Sequence, residues 1–164
     1  MRRAGKTWGP LLLAGVLVAA SGCNTGTEGG GFEPDLGSMV IKVDNTDYTI
    51  VKGPLGSGGQ HAESQNASIS ISATFIRATG GQELNITSSD FELRAAASVT
   101  GAPFPSSIHF NRTSAFAGTL DGLATGQEIQ VYFSLYHKSQ AHTDFGPYFL
   151  FIKRADDNTG PPPI

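Results

Sequence analysis

Polar and apolar residues alternate along much of this chain with a period of two. Ile69, Ile71, Ala73 and Phe75 are separated by Ser70, Ser72 and Thr74, and Phe91, Leu93, Ala95, Ala97 and Val99 by Glu92, Arg94, Ala96 and Ser98. Ile129, Val131, Phe133 and Leu135 alternate in the same way with Gln130, Tyr132, Ser134 and Tyr136. Successive side chains of a strand point to opposite faces, so each run predicts a strand with one face in a core and the other in water. Shorter runs predict further strands over residues 39–43, 48–52, 107–112, 115–120 and 148–154. No segment carries the 3.6-residue period of an amphipathic helix.

Turn-forming residues fall between the runs: Asp44-Asn45-Thr46-Asp47, Thr79-Gly80-Gly81, Gly101-Ala102-Pro103, Asp121-Gly122 and Gly126. The glycine-rich segment 53–59 (GPLGSGG) lacks the Gly-Lys-Ser/Thr ending of a phosphate-binding loop and is read as a mobile connection. Seven to nine short strands at this spacing predict an all-β protein, an antiparallel β-sandwich of the Ig-like type over residues 38–154. Two segments carry a family resemblance. Residues 73–84 (ATFIRATGGQEL) and 116–131 (FAGTLDGLATGQEIQV) are similar to the strand, turn and strand pieces of bacterial Ig-like domains of the group 2 kind. In the second, Gly122 and Gly126 stand at turn positions, and Ile129 and Val131 open an alternating strand. The resemblance implies a stalk, spacer or binding module of the bacterial envelope.

The two ends of the chain differ from this middle. Arg2, Arg3 and Lys6 precede the apolar run 11–20 (LLLAGVLVAA), the layout of a secretory signal peptide over residues 1–22. The run falls well short of the roughly 20 helical residues that span a bilayer. Ala20-Ser21-Gly22-Cys23 resembles the bacterial lipobox, which implies cleavage before Cys23, acylation of its thiol and attachment to a membrane through lipid. Under the sorting rule for such proteins, Asn24 rather than Asp after the Cys implies the outer membrane in a Gram-negative cell. Residues 23–37 then read as a glycine-rich tether and residues 155–164 (ADDNTGPPPI) as a disordered tail.

Charge narrows the partners. The full chain carries 11 Lys and Arg against 14 Asp and Glu; loss of Arg2, Arg3 and Lys6 leaves 8 against 14, a mature net charge of −6. That balance disfavours nucleic acid and anionic headgroups, both of which select Lys and Arg clusters. A single Cys among 164 residues closes no intramolecular disulfide and builds no cysteine-rich zinc site.

The remaining chemistry lies near the C-terminal end. His137, His142 and Asp144 fall within one expected loop between the last two strong strands, and imidazole with carboxylate is a donor set for a divalent transition metal. A hairpin there brings the three together, with His109 or His61 available as a fourth ligand. The alternative is that His137 and His142 are simply solvated at a loop tip and Asp144 is a turn residue. Tyr132, Tyr136 and Tyr148 predict an exposed aromatic strip for a glycan or another envelope protein. Asp90 and Glu92 read as a solvated pair on one strand face. No Ser sits in a Gly-x-Ser-x-Gly elbow, so the expectation is a non-catalytic module without a resident cofactor, with metal binding through His137, His142 and Asp144 as the second reading.

Overall fold

The period-two runs become the longest strands of a two-sheet sandwich. A computed structural model describes residues 34–156, which belong to one compact unit. The predicted leader, Cys23, most of the tether and the tail beyond residue 156 lie outside the described residues. Nine strands follow in order, with no helix among the described residues: β1 (Leu36–Val43), β2 (Thr46–Val51), β3 (Gly58–Ser64), β4 (Ser68–Arg77), β5 (Phe91–Ala96), β6 (His109–Arg112), β7 (Ala117–Asp121), β8 (Glu128–His137) and β9 (His142–Arg154). One sheet has the order β2-β1-β4-β7-β6 and the other β3-β9-β8-β5. With β2 and β3 set aside, the first, second, fifth and fourth strands form one sheet and the third, sixth and seventh the other. That is the strand order of a constant-type Ig sandwich.

The core comes from the alternating positions. Ile69, Ile71, Ala73 and Phe75 of β4 are buried, and opposite them lie Val131, Phe133 and Leu135 of β8 and Phe145, Leu150 and Ile152 of β9. Each fully buried aliphatic or Phe side chain contributes about 1.5–3 kcal/mol relative to exposure, an upper bound because denatured chains are already partly compact.

Three elements differ from the sequence expectation. The first is β3, where a mobile loop was expected: it pairs with β9, and it does so in parallel, unlike every other pair of the two sheets. Its pattern is nearly all exposed, with only Ala62 and Ser64 buried, so its ladder is not advertised by apolar side chains. Gly58 is required there, because a Cβ would lie 2.0 Å from the Phe149 carbonyl oxygen. The second is β5, which stops at Ala96 although the alternation runs on to Val99. The chain folds back there: the Ala97 amide bonds to the Ala102 carbonyl, and the Ser98 hydroxyl accepts from the Ala102 amide at 3.0 Å.

The third is β9, 13 residues long, which starts at His142 rather than near Tyr148 and shrinks the expected loop to a short hairpin turn with Ala141 at φ 55°. At the domain ends, β1 begins at Leu36, inside the expected tether. Ala155 is buried, its amide donating to the Ser64 carbonyl, so the fold reaches past residue 154.

Candidate metal centre and adjoining groove

The β8–β9 hairpin assembles the first site by strand parity. On β8 the inward positions Val131, Phe133 and Leu135 are followed, two residues on, by His137, which is therefore turned into the sandwich and is 2% exposed. Its ring stacks on Phe91 at 4.3 Å. His142 opens β9 directly opposite His137, and cross-strand partners share a face. Asp144 lies two residues further, on that same face.

A β-bulge then sets the aim of Asp144. Tyr136 pairs with Thr143 but Leu135 pairs with Phe145, so the register slips by one and Asp144 has no partner on β8. Asp144 and Phe145 consequently both turn inward, the two-against-one geometry by which bulges redirect a side chain. The ligand-type atoms of His137, His142 and Asp144 all lie within 4.8 Å of one another.

One Asp144 oxygen, Oδ1, meets His142 Nε2. The other, Oδ2, is 3.5 Å from His137 Nδ1, outside good hydrogen-bond range, and both of these buried atoms lack a hydrogen-bond partner. The far nitrogen of His137, Nε2, is 3.1 Å from Ser139 Oγ. His142 stays 42% exposed in its side chain, which leaves the cluster open to solvent on one side. The solvated reading of His137 is thereby corrected: β8 continues to His137 instead of ending before it, and strand parity places the ring in the core. Neither proposed fourth ligand joins the cluster. His61 stands on β3 with Nδ1 2.9 Å from Glu128 and its ring stacked on Phe151, and His109 lies on β6.

A groove of about 760 Å³ borders the outward faces of β5 and β8, closed on its other side by loop 97–108 and β6. Tyr132 and Tyr136 line it, as do Arg94 and Arg112. Tyr148 does not belong to this strip. The offset of pairing around Gly146 and Pro147 sets it opposite Phe133, so it is 2% exposed, and its hydroxyl donates to the Gly53 carbonyl at 2.9 Å while accepting from the Gly53 amide at 3.1 Å.

Glu92, expected to be solvated beside Asp90, is instead 13% exposed and held by two guanidinium groups, Arg94 Nε at 2.8 Å and Arg112 Nη1 at 2.5 Å. Arg94 also covers the ring of Tyr136, 3.1 Å from its centroid. Burial pushes the Glu92 carboxyl up, but hydrogen bonds and charge from Arg94 and Arg112 outweigh it and hold the group below the usual range. The contact with Arg94, two residues along the same strand face, is readable from spacing. The contact with Arg112 depends on the closeness of two strands from different sheets, which no local pattern encodes.

Comparison with protein-family models, with curated proteins and with solved structures finds no match to this chain, so the assignment of function rests on the residues and geometry above.

Proposed function

We propose that this protein is a non-catalytic module of a bacterial cell envelope, attached to the membrane by lipid on Cys23, on the outer membrane where the cell is Gram-negative. The observation that carries the reading is the coincidence of the sole Cys with the end of the Ala20-Ser21-Gly22-Cys23 pattern, next to a sandwich with Ig-like strand order. The bound partner is an envelope glycan, taken in the groove of the β5–β8 face. Tyr132 offers an aromatic surface for a sugar ring, and the N–H groups that Arg94 and Arg112 do not spend on Glu92 offer donors to hydroxyl and carboxylate oxygens. Glu92 itself is poorly placed for acid chemistry: both its oxygens are bound by arginine, and its depressed pKa keeps it ionised at neutral pH.

Two measurements test this. In a bacterial host, the full chain should incorporate radiolabelled palmitate and fractionate with membranes, and Cys23→Ser should abolish both; anchoring that survives the substitution overturns the lipid assignment. The mature chain should pellet with isolated cell-wall sacculi, and Tyr132→Ala should release it. Absence of pelleting, or pelleting unaffected by Tyr132→Ala, overturns the glycan assignment and leaves an envelope protein as the partner to seek by crosslinking.

A further inference from the structure

We propose that His137, His142 and Asp144 form a binding site for one divalent first-row transition ion of the zinc class, open to solvent at one coordination position. Four observations support it. The donor set of two imidazoles and one carboxylate is of the type that divalent zinc, cobalt, nickel and copper accept, while calcium and magnesium select oxygen.

The second observation is the pair of buried atoms without partners. His137 Nδ1 and Asp144 Oδ2 face each other at 3.5 Å, and neither has a hydrogen bond elsewhere. Buried polar groups are nearly always satisfied, so two adjacent exceptions mark a place where a ligand completes the structure. Their separation is also informative. Ligands about 2.0–2.1 Å from a tetrahedral zinc ion stand about 3.3 Å from one another, close to the distance found. A shared ion therefore fits between these atoms better than a hydrogen bond does.

Third, the neighbour of the opposite ring nitrogen suits a metal ligand. With the proton on Nε2 and directed at Ser139 Oγ, 3.1 Å away, His137 presents the lone pair of Nδ1 to the cluster. Ligating histidines are commonly oriented in this way by a partner on the second nitrogen. Finally, the site is built into rigid elements. Phe91 fixes the plane of His137 by stacking, the hairpin register fixes His142, and the bulge fixes Asp144. His142, the exposed member, is the point of entry, and the protein supplies three ligands, leaving a fourth position for water or a small anion.

The test uses the mature chain without a polyhistidine tag and with Cys23→Ser, which removes the lipid anchor and the only thiol. Zinc sulfate, cobalt chloride and calcium chloride are added separately, and the thermal transition and bound-metal stoichiometry are measured. Zinc and cobalt should bind one per chain and raise the melting temperature, with a free ion concentration of 100 Kd favouring the folded state about 100-fold. Cobalt should give the visible absorption of a low-coordinate nitrogen and oxygen site, and calcium should do nothing.

His142→Ala, at a half-exposed position, and Asp144→Asn, which keeps the shape of the side chain, should each abolish the shift while leaving the far-ultraviolet spectrum of a folded sandwich. Ser139→Ala should weaken binding by about 10-fold, the lower end of what loss of an outer partner costs. Binding that persists in both His142→Ala and Asp144→Asn, equal stabilisation by calcium, or no bound zinc at all would each overturn the proposal. Because none of these readouts involves Cys23 or Tyr132, failure here is separate from failure of the envelope assignment.

Discussion

Two carboxylates on the strands that flank β8 stand in contrasting surroundings. Glu92, facing the groove, has both oxygens on guanidinium groups and a pKa held down by them. Asp144, on the inner face of the β8–β9 hairpin, has one oxygen on His142 and the other buried without a partner beside an equally unpartnered imidazole nitrogen. The first arrangement is complete as it stands, whereas the second leaves a buried oxygen and a buried nitrogen unpaired. A carboxylate already saturated by arginine strengthens its surroundings; one left half-saturated in a core lowers stability until something binds.

Removal of the two carboxylates should change stability in opposite directions. The largest expected effect is at the hairpin: in metal-free protein, His137→Phe combined with Asp144→Leu should raise unfolding free energy by about 1–4 kcal/mol, as replacement of poorly satisfied buried polar groups often does. Denaturant unfolding measures it, and a loss of stability would show that the cluster is self-sufficient. At the groove the sign should reverse. Glu92→Gln should lower stability by about 1–2 kcal/mol, since it removes two charge-assisted bonds whose arginines are themselves partly exposed.

A smaller effect, about 1 kcal/mol, is expected from Tyr148→Phe, which deletes a hydroxyl bonded to both the amide and the carbonyl of Gly53 and leaves its aromatic packing intact. The smallest concerns pH. The carboxyl of Glu92 titrates lower in the folded chain than in the unfolded one, so its contribution is fully present above the unfolded carboxylate pKa and disappears as pH falls through the lower folded value. Asp121 behaves alike: bonds to its carboxylate from Ser68 and Asn111 lead the causes that lower its pKa. Melting temperatures between neutral and acid pH should therefore fall, and Glu92→Gln should flatten that fall; an unchanged slope would remove Glu92 from the account.

What the sequence disclosed follows from which interactions use side chains. Strands β4 and β8 are written in Ile69, Ile71, Phe75 and in Val131, Phe133, Leu135, because one face of each is dry and the other wet. Strand β3 is not: its Gln60, His61 and Glu63 all face water, and its place beside β9 is held mainly by main-chain bonds, which leave no apolar alternation in the sequence. The nearness of His137, His142 and Asp144 was legible from spacing, but the burial of His137 required knowing that β8 continues to that residue. Tyr148 shows the converse. Its type suggested a surface strip, and only the offset pairing around Gly146 and Pro147 reveals that it faces the core.

The parallel pairing of β3 with β9 has a mechanical consequence. Force that draws these two strands past each other along their length loads all the bonds of their ladder together, so they must rupture as a group. A hairpin such as β8–β9, pulled apart at its open end, yields one bond at a time. Through β3 the domain thus carries a ladder that is loaded in shear along β9, the strand that also bears His142 and Asp144.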